Sequence, residues 1–139
     1  MFQQKKTRVA CAIILNHKNQ VLFIKRGRDP FLHHWALISG MGGFEGGSSP
    51  EQAVAREVEC DIRTSLLNTK FEFVFFVPDD SRVTEIIVYS GSVHQPSIRT
   101  HPPFSLEYTW RTLENYKNLG QLAFEYTEIM KRFWSDHLP

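Results

Sequence analysis

Residues 42–64 constrain the fold of this chain most strongly, because a glycine-rich loop runs directly into a well-signalled helix. Ser49 can serve as the N-cap and Pro50 suits the first helical position. Gln52 stands three residues after the cap, which is the spacing of a capping box. Apolar side chains then recur every four residues and mark one buried face. These apolar positions are Val54, Val58 and Ile62. The sequence therefore predicts a helix that begins at residue 50 and packs one side against a core.

Two acidic residues of this helix, Glu57 and Asp61, are also four apart and therefore share a second face. Two carboxylates one turn apart, beside a loop of small residues, can hold a hard cation such as magnesium or manganese. Acids at this spacing also occur simply as a solvated face, and spacing alone favours that simpler interpretation. What favours a metal site is the sequence around the pair.

That surrounding sequence resembles the Nudix box, the signature of the Nudix hydrolases. The family pattern is Gly, five residues, Glu, seven residues, Arg-Glu-apolar, one residue, Glu-Glu, one residue, Gly and an apolar residue. Placing its Arg-Glu-apolar run on residues 56–58 puts its first glycine at Gly42. The frequent Pro-Glu-Gln-Ala-Val run then coincides with residues 50–54. Residues 26–31 and 35–37 resemble the lead-in of many members, particularly the ADP-ribose and NADH pyrophosphatases.

Several positions of the box depart from the family pattern. Ser48 stands where the family has its first glutamate, and Arg63 stands where it has its glycine. Cys60 and Asp61 replace the glutamate pair. The family's helix acids bind divalent metal and help to activate the attacking water, so the resemblance leaves Glu57 and the shorter Asp61 as metal ligands. Cysteine is a poor ligand for magnesium, and Cys60 is interpreted as structural or as a lost ligand.

The resemblance also implies catalytic roles for two other charged residues. Arg56 would orient Glu57 or steady the glycine loop through charged hydrogen bonds. Glu107 precedes a Trp and a Leu in a run similar to a strand near the site of other members, some of which recruit a distant acid there. Glu107 is therefore the candidate for a further metal ligand or base. An acid on an exposed strand face would give the same pattern.

Substrate contacts are predicted in the glycine loop and in the segment before it. Arg26 and Arg28 would contact substrate phosphates, although two solvated loop arginines explain the sequence almost as well. Gly42 and Gly43 would let backbone groups approach a ligand closely. Trp35 could stack on a base or pack in the core.

The predicted elements occur in the order strand, strand, helix, strand, strand, strand, helix, which suits an α/β sandwich with a mixed sheet between helices. The resemblance implies the Nudix-type α/β/α sandwich, which has this layout. A length of 139 residues is most simply one domain, residues 1–139. The five predicted strands of this order cover residues 9–15, 21–25, 71–77, 84–93 and 106–113, and a further short strand, residues 35–39, lies within the loop before the first helix.

The C-terminal end of the first helix is less clearly signalled than its start. Arg63 cannot adopt the left-handed conformation of a helix cap as cheaply as a glycine can, whereas Asn68 tolerates it. The helix is therefore predicted to run to about residue 67. A second helix is predicted over residues 119–134, with an apolar stripe that packs in the core. The stripe consists of Leu122, Phe124, Tyr126, Ile129, Met130 and Phe133.

Composition limits the classes of partner. The formal net charge of +1 gives no case for binding nucleic acid or an anionic membrane. No signal peptide is visible, and no apolar run is long enough to span a bilayer. Two cysteines make neither a disulfide framework nor a metal-binding pattern. These features predict a cytoplasmic protein, and because dimers are common among relatives, a homodimer stays open.

Two functions remain open from the sequence. The first is a Nudix-type hydrolase that uses Mg²⁺ or Mn²⁺ to cleave a diphosphate linkage in a small nucleotide-like substrate, weakly because the box is incomplete. The alternative is a Nudix-fold protein that has lost the chemistry and binds a nucleotide or serves as a scaffold. The replacements in the box favour the alternative, whereas the retained Arg56, Glu57 and Asp61 favour the enzyme.

Overall fold

The computed structural model describes residues 5–40, 48–78 and 82–137. Within these ranges, two short 3₁₀ helices, Gln95–Ser97 and Tyr116–Leu119, accompany the main elements. The strands are β1 (Lys5–Ile14), β2 (Val21–Lys25), β3 (Trp35–Ala36), β4 (Ile38–Gly40), β5 (Leu67–Pro78), β6 (Arg82–Ser92) and β7 (Tyr108–Arg111), and the helices are α1 (Pro50–Ile62) and α2 (Tyr126–His137). Within the described ranges, neither helix has the length and hydrophobicity that crossing a bilayer requires.

The strands form two sheets with the orders β4-β1-β6-β5 and β3-β2-β7. β1 and β6 pair in parallel, whereas β1 with β4, β5 with β6 and the pairs of the smaller sheet are antiparallel. A parallel pair needs a long crossover connection, and α1 lies within the one that joins β1 to β6. The predicted α/β/α sandwich with a mixed sheet is therefore confirmed. That residues 1–139 form one domain stays a prediction.

The core lies between the helices and the central strands. Residues 10–14 and 21–24 are at most 3% exposed, as expected for strands that are covered on both faces. The apolar side of α1 packs against β1 and β4. Its fully buried side chains are Ala53, Val54, Val58 and Ile62. This packing fixes the rotation of α1, and with it the direction in which the acidic face points.

The predicted start of α1 is confirmed at the level of individual hydrogen bonds. The Ser49 hydroxyl accepts from the backbone N–H of Gln52 at 3.1 Å, and the Gln52 side chain accepts from the N–H of Ser49 at 2.9 Å. Pro50 occupies the first helical position. Each bond satisfies a backbone donor that the first helical turn leaves without a partner.

The predicted end of α1 is wrong. The helix ends at Ile62, and Arg63 caps it in the left-handed conformation, with φ 59° and ψ 31°. Asn68 is left-handed too, but it already belongs to β5. The cost of a left-handed non-glycine residue is only about 1–2 kcal/mol. Hydrogen bonds from residues 99–105 to the last carbonyls of α1 can offset a cost of that size.

The predicted start of α2 is also wrong, because the helix begins at Tyr126. Gly120 and Phe124 have positive φ angles of 78° and 50°, which a right-handed helix does not allow. The predicted packing of the stripe is nevertheless confirmed for all of its members except Phe124, which is 39% exposed. The buried members are Leu122, Tyr126, Ile129, Met130 and Phe133. The apolar periodicity therefore indicates buried side chains both before and after the residue at which α2 begins.

Candidate active site

Glu57 lies at the contact between α1 and β4. A Cβ atom built on Gly40, the last residue of β4, would fall 2.2 Å from Cδ and 2.3 Å from Oε1 of Glu57. Only the missing side chain at Gly40 therefore lets the Glu57 carboxylate lie against the strand. Burial raises the pKa of Glu57, while the charges of Arg28 and Arg56 oppose that shift.

Asp61 lies one helical turn further on and is only 6% exposed. Burial and the charge of Glu57 raise its pKa to about 7, against the opposing effect of Arg28 and Arg26. The two carboxylates thus act on each other, and their charge is incompletely compensated by the protein. Such a pair is stabilised by an added cation.

Cys60 lies beside this pair. Its pKa is raised, first by burial and then by the charges of Asp61 and Glu57. The sulfur is therefore held as a neutral thiol, whereas both metal binding and nucleophilic attack need the thiolate. This environment agrees with the structural interpretation of Cys60.

Arg28 faces the acidic pair from the loop that follows β2. Its charge acts on Glu57, Cys60 and Asp61. Its guanidinium carbon lies 4.6 Å from the centre of the Phe104 ring, so the planar group is supported by an aromatic face. The structure therefore places Arg28 close enough for its charge to act on both predicted metal ligands.

Arg26 lies at the same end of the molecule. Its charge acts on Asp61 and on Tyr126, and its guanidinium carbon is 4.9 Å from the centre of the Phe124 ring. Burial lowers the pKa of Arg26 from its usual value. Arg26 Nε also donates to the carbonyl of Pro30 at 2.9 Å, which fixes the side chain over its own loop.

A cleft of about 540 Å³ opens beside these arginines, and ligand sites of small molecules commonly have this size. Its wall combines the first residues of β1 and β6 with the loops that carry the arginines and Phe124. The side chains that matter for binding are those of Arg26, Arg28, Ser39, Phe124 and Tyr126. The Ser39 and Tyr126 hydroxyls are hydrogen-bonded to each other.

Phe124, Tyr126 and Ser39 were not among the candidates from the sequence. Phe124 and Tyr126 belong to an apolar stripe that predicts core packing, and Ser39 is an ordinary strand residue. Phe124 lines the cleft and has a positive φ angle, a backbone conformation that no sequence signal marks. Tyr126 is both a core residue, 3% exposed, and part of the wall of the cleft.

Arg56 points away from the pair towards the start of α1. Its Nη1 donates to the Ser48 hydroxyl at 3.1 Å, and its charge acts on Glu57. This position agrees with the predicted steadying of the glycine loop, of which Ser48 is the last residue before the helix cap. Gly42 and Gly43 lie outside the described residues.

Two candidates lie apart from the cleft. Neither Glu107 nor Trp35 is among the described residues that line it. Glu57 and Asp61 are not in the lining either, but Glu57 adjoins it at Gly40, and the charges of Arg26 and Arg28 act on Asp61. The Glu107 carboxylate is 61% exposed and pairs with Lys25 Nζ at 3.3 Å. Lys25 Nζ also lies 5.9 Å from the centre of the Trp35 ring, and Trp35 packs against the core. The metal or base role of Glu107 and the base-stacking role of Trp35 stay predictions without support from this arrangement.

The donor set defines what kind of metal site these residues can make. In the part of the chain that the structure describes, no three His, Cys, Asp or Glu side chains form a group that could hold a metal ion. Glu57 and Asp61 offer two carboxylates. Mg²⁺ is commonly bound by one or two carboxylates together with water and substrate phosphates. The pair therefore fits a cation that is shared with a phosphate ligand, and it does not form a closed protein cage.

Three solved structures show the same fold. A MutT Nudix hydrolase from Burkholderia pseudomallei is 22% identical, with a TM-score of 0.74 and coverage of 91% of this chain and 95% of that one. A MutT protein from Methanosarcina mazei is 19% identical, with a TM-score of 0.80 and full coverage of both chains, 100% and 100%. The Nudix domain of NrtR from Shewanella oneidensis, solved with ADP ribose, is 17% identical, with a TM-score of 0.75 and coverage of 99% and 91%.

No curated protein matches this chain in sequence. The model of the NUDIX domain matches residues 5–133, which is nearly the whole chain. The matched range contains both acids, both arginines and all the described residues that line the cleft. The chain therefore belongs to the Nudix family.

Proposed function

We propose that this protein is a metal-dependent hydrolase that cleaves the diphosphate linkage of a nucleoside diphosphate derivative. The observation that carries the proposal is that Arg26 and Arg28 line the cleft while their charges act on Asp61, and that Glu57 lies against Gly40 of the cleft wall. Carboxylates suit a hard divalent cation, and guanidinium groups suit phosphate oxygens. A diphosphate bound with a metal ion presents both of these partners.

Each charged residue then has a separate task. Glu57 and Asp61 would hold Mg²⁺ or Mn²⁺. When bound, that ion would neutralise phosphate charge and lower the pKa of the attacking water. Arg26 and Arg28 would bind phosphate oxygens and orient the diphosphate, and Arg56 would keep the start of α1 in place through Ser48.

The proposed substrate class is inferred from the volume of the cleft and from the ligand of one structurally similar protein. The cleft volume of about 540 Å³ suits a nucleotide-sized ligand. The related NrtR domain was solved with ADP ribose, which is a nucleoside diphosphate derivative. Compounds of this type are therefore the first to test. A homodimer and a cytoplasmic location stay predictions.

A second function is favoured by the same charges. Arg28 already compensates part of the charge of Glu57 and Asp61, and Cys60 supplies no further oxygen ligand. If this compensation replaces the metal ion, the protein would bind a nucleotide without turning it over.

Metal titration and turnover distinguish the two functions. We expect Mn²⁺ to bind calorimetrically, and ADP-ribose, NADH, a dinucleoside polyphosphate or a nucleoside triphosphate to be cleaved only when Mn²⁺ or Mg²⁺ is present. Arg28→Met should raise KM by about 10-fold to 100-fold, because a charged hydrogen bond contributes about 1.5–3 kcal/mol. Arg132→Met is the matched control, since Arg132 also stacks on an aromatic ring, Phe73, but lies outside the lining of the cleft. Nucleotide binding with neither metal binding nor cleavage would contradict the enzyme and support the second function.

Gly40→Ala tests the position of Glu57 without changing any charge. The added methyl group would overlap the Glu57 side chain, which is flexible and can move aside, so we expect the fold to be retained. The affinity for Mn²⁺ should fall by about 10-fold or more, because the carboxylate is displaced from its place beside β4. Calorimetric titration measures the affinity, and the unfolding midpoint checks the fold. A Gly40→Ala variant that folds normally and binds Mn²⁺ like the wild type would show that Glu57 is not a ligand.

A further inference from the structure

The end of α1 is closed by residues that are distant in sequence. The last carbonyl groups of a helix have no partner within it and need donors from elsewhere. Three consecutive carbonyls of α1 receive such donors from a single segment, residues 99–105. His101 Nδ1 donates to the Cys60 carbonyl at 2.5 Å, the Ser105 hydroxyl donates to the Asp61 carbonyl at 2.6 Å, and the Arg99 backbone N–H donates to the Ile62 carbonyl at 3.0 Å.

This segment is itself tightly organised. Ser105 is 0% exposed, and its hydroxyl accepts from the backbone N–H of His101 at 2.9 Å. The backbone N–H groups of Phe104 and Ser105 both donate to the carbonyl of His101, at 2.8 and 3.0 Å. Because a carbonyl only accepts, His101 must carry a proton on Nδ1 to bond with Cys60. The two side chains that reach α1 are therefore fixed by the same compact turn.

The same segment holds the loop that carries the arginines. The Phe104 ring supports the Arg28 guanidinium at 4.6 Å, and the Pro103 carbonyl accepts from the N–H of Gly27 at 3.0 Å. A Cβ atom on Gly27 would lie 2.7 Å from that carbonyl oxygen and 2.6 Å from Leu106 Cδ2. The contact between the two loops thus leaves no room for a side chain at position 27.

We propose that residues 99–105 act as a positioning clamp, in which His101 and Ser105 hold the last turn of α1 against the loop that carries Arg28. Arg63 ends the helix in a left-handed conformation that an arginine does not favour, so the clamp supplies the hydrogen bonds that keep this end in place. Ser105 donates to the backbone carbonyl of Asp61, so the clamp fixes the backbone from which the Asp61 side chain extends. The effect of the clamp on metal binding by Asp61 rests on the proposed function, whereas its effect on the position of the last turn of α1 does not.

The thiol of Cys60 reports on this turn without metal or substrate. Cys60 is partly exposed, whereas Cys11 is fully buried, so iodoacetamide should label Cys60 in preference to Cys11, at the slow rate of a thiol that is mostly neutral, and mass spectrometry can confirm the site. We expect Ser105→Ala and His101→Ala to raise the labelling rate at least several-fold, because the last turn opens more often. His101→Asn should restore the wild-type rate, since its amide N–H can replace Nδ1–H. Ser65→Ala is the matched control, because the Ser65 hydroxyl lies at the same helix end but donates to the Glu59 carboxylate.

Metal affinity tests the effect of the clamp on Asp61. In Ser105→Ala and His101→Ala, the Kd for Mn²⁺ should rise by about 10-fold or more, with recovery in His101→Asn. Loss of folded protein alone would lower the number of binding sites and leave Kd unchanged. If Ser105→Ala fails to fold, the two His101 variants decide the outcome. A labelling rate that is unchanged in folded variants, or an unchanged Kd where labelling has accelerated, would overturn the clamp.

The two proposals fail in different ways. A wild-type protein that neither binds Mn²⁺ nor cleaves any substrate would end the proposed function, and the labelling rates would still decide whether the clamp exists. A wild-type protein that binds and cleaves, with variants that label and bind as it does, would end the clamp alone.

Discussion

Glu57→Gln is expected to abolish measurable Mn²⁺ binding and to lower kcat by about 10²–10⁴-fold, the range found when a group that acts on the transition state is lost. Glutamine has the shape of glutamate, so the side chain can still lie against Gly40 and the fold should be kept. What it lacks is the negative charge that binds a hard cation. Calorimetric titration measures the metal binding, and detection of the nucleoside monophosphate that forms when water cleaves the diphosphate linkage measures the turnover.

Glu59→Gln is the control for that substitution. Glu59 lies on the same helix, but it is exposed and contacts the Ser65 hydroxyl instead of β4. Its substitution should leave metal binding and kcat within about 2-fold of the wild type, as expected for an exposed site. Equal losses in both variants would mean that the charge of the helix as a whole, and not a site at Glu57, governs the activity.

Asp61→Asn is expected to stabilise the metal-free protein and, at the same time, to abolish turnover. The metal-free protein keeps a proton on Asp61 up to a pKa of about 7, whereas the ordinary value of 3.8 applies when the chain is unfolded. Between these values the folded state binds more protons than the unfolded state, so the free energy of unfolding falls as pH rises. Asparagine removes the ionisation. It should therefore stabilise the metal-free protein above pH 7, by about 1–4 kcal/mol, while turnover is lost.

Denaturant unfolding at pH 5 and pH 8 measures this linkage. The part of the pH dependence that comes from Asp61 should be present in the metal-free wild type and absent in Asp61→Asn. Saturating Mn²⁺ should reduce it in the wild type, because a cation favours the ionised carboxylate. Asp136→Asn is the control, since Asp136 is exposed and lies 3.9 Å from Arg132. A wild type as stable at pH 8 as Asp61→Asn would contradict the burial of an ionisable group at this position.

Glu57→Gln and Asp61→Asn together show whether these acids form a functional site or only a structural ion pair. A buried carboxylate that destabilises the metal-free fold is retained when a ligand needs it. Asp61 is 6% exposed and is not neutralised by a bidentate partner among the described residues, so stability alone would favour its replacement. We therefore expect the stability cost and the metal affinity to depend on the same side chain.

The start and the end of α1 show what kind of information a sequence carries. The capping box at Ser49 and Gln52 involves residues three apart, so both partners are visible in one short run. The end at Arg63 depends on donors such as Ser105, which is 44 residues from its acceptor at Asp61. The conformational preference of arginine predicted a longer helix, and hydrogen bonds from a distant loop decided otherwise.

The arginines and Glu107 show the same limit for the site. Arg26 and Arg28 are near the box in sequence only across a loop, and the contact of Phe104 with Arg28 is what orients one of them. Glu107 resembles a distant acid of the family by its neighbours in sequence, yet in space it pairs with Lys25 on the outside of the smaller sheet. Sequence proximity therefore identified the candidates, and the folded arrangement showed which of them lie near the two helix acids.

Apart from residues 35–40, which form two strands in different sheets instead of the one predicted, the sequence by itself determined the family, the order of strands and helices, the start of α1 and the placing of Glu57 and Asp61 on one helical face. These features depend on residue types at short, regular spacings, which periodicity and capping make readable. Only the tertiary structure decided that the charge of Arg28 acts on the acids and that Phe124 lines the cleft. It also decided that residues 99–105 donate hydrogen bonds to the last carbonyls of α1. Those features depend on contacts between distant segments, whose geometry is set by the packing of the whole sandwich.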